Sequence, residues 1–160
     1  MFYFKNVLID NASGQIAENA IRQFSLKRNT PLDFQSAESD IDTGKYFIGL
    51  ESKNDIKISR IRTSFERLLP KLIVSFPKDK GFTCYKIRYS LWSSLLAFFF
   101  IAAILANAFF SIRDQRLADN FQQVLLWLAV FFLLTYFELR LTNRRIQKAL
   151  KATRSPMQDS

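Results

Sequence analysis

The apolar positions of this chain change rhythm at Arg88. Between residues 45 and 88 they recur in short alternating runs; from Tyr89 onward they continue with little interruption. In "KYFIGLES", Tyr46, Ile48 and Leu50 share one face, and in "DIKISRIR" Ile56 and Ile58 lie opposite Lys57 and Ser59. A period of two predicts half-buried strands. "KLIVSF" is β-rich, and "PKDKG" is a turn ahead of "FTCYKIRYS", where Thr83, Tyr85 and Ile87 alternate with Cys84, Lys86 and Arg88. "TSFERLL" is ambiguous between loop and short helix. A small, mostly antiparallel sheet over 45–88 is therefore expected, leading directly into the apolar region.

The first thirty residues have a different period. "ASGQIAENAIRQFSL" sets Ile16, Ala17, Ala20, Ile21 and Phe24 on one helical face, with Asn11 or Ser13 as N-cap. A helix lying in the membrane plane needs a polar face rich in Lys and Arg. Arg22, Lys27 and Arg28 supply little of that, so the stripe is expected to pack on the sheet. Residues 31–44, with Pro31 and many small polar side chains, read as a linker. About 60 residues of domain form only a marginal core alone, so help from this helix, the membrane surface or a second subunit is expected.

Beyond the sheet, Tyr89 to Ile112 are 24 consecutive residues without formal charge, and Phe121 to Phe137 are 17 more. A bilayer core of ~30 Å takes about 20 helical residues. Neither run has the polar face of a globular surface helix. The expectation is an α+β membrane protein: an N-terminal helix, a small β-domain and a two-span transmembrane α-hairpin over 89–140, with spans at about 89–112 and 119–139. "RDQRLADN" between the spans reads as a tight turn, with Asp119 and Asn120 capping the second span. The N-terminal "MFYFKNVLID" lacks a long apolar region and a cleavage site, so no removable signal peptide is expected.

Charge orients this arrangement. Residues 1–44 carry four basic and six acidic side chains, and 45–88 carry eleven and four. The tail, 141–160 with Arg140 before it, holds Arg144, Arg145, Lys148, Lys151 and Arg154 against Asp159. Lys and Arg collect on the cytoplasmic side of spans. Both termini are therefore expected in the cytoplasm and the turn outside, as a multi-pass protein of the inner (plasma) membrane. The single cysteine, Cys84, fits a reducing compartment and a buried, inert role.

Candidate chemistry is sparse. The chain has no histidine and one cysteine, which excludes the usual zinc sites and His-assisted nucleophiles. "DTG" at Asp42–Gly44 lacks the second carboxylate of an aspartic-protease dyad, and no glycine-rich phosphate loop occurs. No catalytic residue, metal or cofactor is expected; the protein reads as a non-enzyme. Lys57, Arg60, Arg62, Arg67 and Lys71 are the candidates for anionic headgroups or a phosphate-bearing ligand, the arginines first because their fork suits phosphate. Nucleic acid is disfavoured, since no aromatic residues are interleaved for base stacking. Ser93, Ala97, Ala102, Ala106 and Asn107 form a small-residue stripe with an amide, suited to packing within the hairpin or to a homo-oligomer. Glu138 closes the second span just inside the interface. In a closed hairpin it lies level with Leu95, within reach of Ser94 or Arg88.

The run "IKISRIRTSFERLLPKLIVSFPKDKGFTCYKIRYS" resembles a pattern in small bacterial membrane proteins with a cytosolic pleckstrin-homology-like β-domain followed by two spans. The shared elements are the strand ending at Arg60, Leu69-Pro70 closing the next segment, Gly81 in a hairpin turn, and a strand leading straight into a span. "FERL" replaces that pattern's aromatic-Arg-Asn-Ser stretch. The resemblance implies architecture and no reaction. Three functions are compatible with the whole reading. One is a membrane-bound module whose β-domain binds an anionic ligand, a lipid headgroup or a partner protein. Another is a membrane-disrupting or channel-like effector triggered by ligand or oligomerisation, as in bacterial defence. The last is a small subunit of a larger membrane complex.

Overall fold

The computed structural model describes residues 3–9, 14–34, 44–79, 81–113 and 118–154. It is an α+β structure with a six-stranded mixed sheet and three helices. Strands β1 (Lys5–Leu8), β2 (Ser25–Lys27), β3 (Phe47–Glu51), β4 (Asp55–Arg60), β5 (Leu72–Pro77) and β6 (Cys84–Tyr89) lie in the order β1-β6-β5-β4-β3-β2. All neighbours are antiparallel except β2 and β3, which are parallel because α1 (Gly14–Gln23) precedes β2 and a long connection follows it. A single turn of 3-10 helix, Phe65–Leu68, joins β4 to β5.

One face of the sheet holds the main core. Phe47, Ile58, Val74, Phe76, Tyr85 and Ile87 are fully or almost fully buried there, beneath Ala17, Ala20 and Ile21 of α1. On β3 this reverses the expected polarity: Phe47 points into the main core and Ile48 away from it. Ile48 remains buried because Leu32 covers it together with Ile73. The stretch 31–34, read as linker, is thus a turn that plugs the second face. Asp42 of "DTG", the expected caps Asn11 and Ser13, and residues 114–117 of the charged turn lie outside the described residues.

Helix α1 meets the β5–β6 hairpin at a point where no side chain fits. A Cβ on Gly14 would stand 1.8 Å from the Gly81 carbonyl oxygen. Gly81 itself turns the hairpin at φ +54°, where glycine is favoured. Phe82 follows at φ 59° and is held there with its ring stacked on Phe76.

Helix α2 (Leu91–Arg113) leaves β6 after one residue, and its start is fixed from three directions. Ser90 Oγ accepts from the Ser93 N–H as an N-cap, and Ser93 Oγ accepts from the Lys71 N–H. Asp33 forms a two-pronged ion pair with Arg88, at 3.1 and 2.9 Å, and also accepts from the Leu91 N–H. Burial disfavours the Asp33 charge, but Arg88 and the Leu91 N–H override it and hold the carboxyl below its ordinary range.

Helix α3 runs unbroken from Ala118 to Arg154, 37 residues and about 55 Å at 1.5 Å per residue. Asp119 and Asn120, expected as caps, lie within it. It returns along α2, where Phe131 packs on Phe100, and passes Tyr89 before reaching the sheet. Its last turns are core: Ile146, Ala149 and Leu150 are buried against α1 and the sheet. The basic tail expected over 141–160 is therefore helix to Arg154 and roofs the domain. Among the described residues, Gln122–Thr153 is the one helical stretch long and apolar enough to cross a membrane, and Leu91–Asn107 is a shorter apolar helix. Large side chains of both helices stand outward, among them Phe98, Phe99, Leu105, Leu126, Phe132 and Leu133.

Candidate functional site

Arg60 ends β4, and Arg62 follows two residues later, so both guanidiniums project from the same side of the chain. Glu138 meets them from α3. Arg60 donates to it through Nη2 at 2.7 Å and Nε at 3.4 Å, and Arg62 through Nη2 at 3.1 Å. The carboxylate is 1% exposed and the arginines 3% and 4%, so the cluster is closed to water. Arg62 also donates to the Leu69 and Pro70 carbonyls, at 2.7 and 2.9 Å, which ties the β4–β5 connection to the same point. Glu66 supplies the second negative charge, with Oε1 2.9 Å from Arg60 Nη1. It is itself fixed by the Thr63 N–H at 3.0 Å. Two cations and two anions balance.

The two guanidiniums divide unequally what Glu138 offers. Burial penalises the charge on Arg60, but Glu138 and then Glu66 reverse the effect and raise its pKa. On Arg62 burial, helped by the neighbouring Arg60 charge, outweighs Glu138 and lowers the pKa. Arg62 Nε has no hydrogen-bond partner among the described residues. Glu66 is likewise buried in part, yet the Thr63 N–H and Arg60 keep it below the ordinary carboxylate range.

Two openings flank the cluster. One is a recess of about 170 Å³ lined by Gly44, Lys45, Tyr46, Ile61, Arg62, Thr63, Glu66 and Arg145. Arg145 and Lys148 from α3 stand over the Tyr46 ring, at 5.3 and 5.5 Å from its centre. Lys45 donates to the Gln23 carbonyl. Three cationic side chains and one carboxylate line this recess. The other opening, of about 420 Å³, is largely apolar and lies between the 3-10 turn and the sides of α2 and α3.

The structure disperses the basic residues singled out in the sequence. Arg60 and Arg62 are engaged internally; Arg67 is exposed at the apolar opening. Lys57 lies 3.6 Å from Asp55 on β4, and Lys71 donates to the Leu32 carbonyl. Burial, with the Arg62 charge nearby, pushes the Lys71 pKa down to about 8. The small-residue stripe divides too. Ser93 is buried and Ala97 partly so, whereas Ala102 and Ala106 face outward. Asn107 donates to Ala103 of its own helix at 2.8 Å.

Glu138 finds neither of its expected partners. Arg88 is taken by Asp33, and the sheet reaches Glu138 instead through Arg60 and Arg62. Sequence reasoning paired residues along the hairpin and had no means to see α3 continue past it. It also missed Asp33, Glu66, Tyr46 and Arg145. The "FERL" departure did carry a trace, because its Glu66 is the second counter-ion. Compared with protein-family models, with curated proteins and with solved structures, the chain matches none.

Proposed function

We propose that the protein is a non-enzymatic inner-membrane protein in which a two-span hairpin, with both termini cytoplasmic, carries a sheet domain that binds a small anionic ligand. The observation that carries this reading is Glu138. It belongs to the helix whose upstream half bears outward Leu126, Phe132 and Leu133, and it is the shared carboxylate of two arginines from the sheet. Removing or diverting that carboxylate leaves buried cations unpaired, which is costly. An anion in the recess beside Tyr46 meets Lys45, Arg145 and the edge of Arg62, next to the very groups that hold α3. Ligand occupancy and the seating of the span are then one equilibrium.

Pyrophosphate is a suitable first probe. It should stabilise the detergent-purified protein by about 1.4 kcal/mol at ten times its Kd, seen as a rise in Tm. Arg145→Ala should abolish the rise and lower the unliganded stability by only about 1 kcal/mol, since Arg145 covers a half-buried ring and Lys148 still stands over it. No rise with pyrophosphate or inorganic phosphate would overturn the ligand assignment. Extraction of the protein from membranes by alkaline carbonate, or a C-terminal reporter outside the cytoplasm, would overturn the span assignment.

The outward Ala102 and Ala106 favour a second reading, in which small residues on the free side of α2 bring copies together and the assembly perturbs the bilayer. Dye leakage from proteoliposomes on adding pyrophosphate, lost in Ala102→Leu, separates it from passive binding. One stoichiometric co-purifying protein would indicate a larger complex.

A further inference from the structure

The apolar opening beneath the 3-10 turn has the form of a ligand groove, and its chemistry is lopsided. Trp92, Leu96 and Phe100 of α2 form one wall, and Trp127, Phe131 and Leu134 of α3 the other. Its volume of about 420 Å³ falls in the range of small-molecule clefts, ~300–1,000 Å³. Where the turn overhangs it, the one charged lining residue among the described residues is Arg67, with no carboxylate among them. The turn separates its charges: Glu66 faces inward to Arg60, while Arg67 is exposed and has no ion pair among the described residues. Beside Arg67, Leu68 is 82% exposed and continues the apolar wall of the groove, and a contiguous apolar surface of this kind marks an interaction site. Trp92 stands outward at the first turn of α2, where indoles settle at the headgroup level.

We propose that this groove seats one acyl chain of an anionic phospholipid, with the lipid phosphate held by Arg67. The proposal rests on the reading of α2 and α3 as bilayer spans. A phosphate accepts the two parallel N–H groups of a guanidinium, and the unpaired cation at the mouth of an apolar cleft matches a lipid with net negative charge. A zwitterionic lipid offers the same phosphate but adds a cation of its own at the same place.

The chain contains two tryptophans, and both line the groove, so its own fluorescence reports the occupant. The protein is reconstituted into phosphatidylcholine nanodiscs containing a low mole fraction of brominated phosphatidylglycerol or of brominated phosphatidylcholine. Quenching per brominated lipid should be about fivefold greater for the glycerol headgroup. Arg67→Gln should erase the difference, and Arg67→Lys should keep part of it. Equal quenching by both lipids in the native protein overturns the groove assignment alone. Absence of quenching by either lipid, with water-like emission, overturns the spans and the groove together. Absence with buried-type emission and a dimeric mass means a second copy fills the groove, and overturns the lipid.

Discussion

Glu138 is a buried acid with two basic partners, and such a group is more costly to remove than it is valuable to install. Glu138→Gln keeps shape and hydrogen-bonding capacity but leaves Arg60 and Arg62 with Glu66 alone. The expected loss is about 3–5 kcal/mol in denaturant unfolding of the detergent-solubilised protein. Replacing Arg60, Arg62 and Glu138 together by Met or Leu should recover most of that loss, because a well-packed apolar cluster needs no counter-ion. Titration of single groups gives a second check. Arg22, then Lys78, holds Glu51 down to about 2, and Asp33 and Glu66 also sit below their ordinary values. A depressed carboxylate contributes stability that is present above its unfolded pKa and lost as pH falls through the folded one. Stability should thus decline from about pH 4.5 toward 2. At the alkaline end two groups oppose each other. Lys71, at about 8 when folded and 10.5 otherwise, makes stability rise with pH over that interval. Burial pushes Tyr85 up to about 12 from 10.0, so stability falls once pH passes about 10. A maximum near pH 10 is expected, and the upward limb between about pH 8 and 10 should vanish in Lys71→Met.

Among the elements, α3 departs most from expectation. Phe131, Thr135, Glu138, Thr142, Ile146, Ala149 and Thr153 are all buried and follow one another at intervals of three or four. That spacing is a single helical stripe. It was present in the sequence, but Arg140, Arg144, Arg145, Lys148 and Lys151 on the other faces gave the segment the look of a solvated tail. Ile146→Ala and Leu150→Ala should each cost about 2–5 kcal/mol in the sheet domain, measured by denaturant unfolding. Truncation after Arg140 should unfold that domain, whereas a dispensable tail predicts no change. Strands β3 to β6 were legible because their alternation is strong and their turns are explicit. β1 and β2 were not: "KNVL" and "SLK" are four- and three-residue edge strands, the first largely exposed and the second half-buried, and pairing with β6 and β3 rather than local pattern makes them strands. The cluster at Glu138 was half legible, since each member drew attention singly while their meeting depended on the path of α3.

At the scale of the molecule, the sheet and the apolar helices share one continuous element, and the joint between them is ionic and dry. The whole should respond as a unit. Cys84, buried in β6, is a convenient reporter: its thiol should resist maleimide in the native protein and label readily in Glu138→Gln. Equal labelling of the two would mean the joint can open without loosening the sheet. Gly14→Ala should also raise labelling, because the new methyl collides with the Gly81 carbonyl and forces α1 off the hairpin.

The roof of the sheet is made after every strand it covers. Synthesis runs from the N-terminal side, so the six described strands are complete by Tyr89, yet Ile146, Ala149 and Leu150 emerge only after α2 and most of α3. Throughout that interval the nascent sheet has an open apolar face and two arginines awaiting Glu138. Vectorial synthesis therefore makes synthesis of both helices a precondition for completing the domain. A chain stalled at residue 140 should be protease-sensitive, and one released in full should not be.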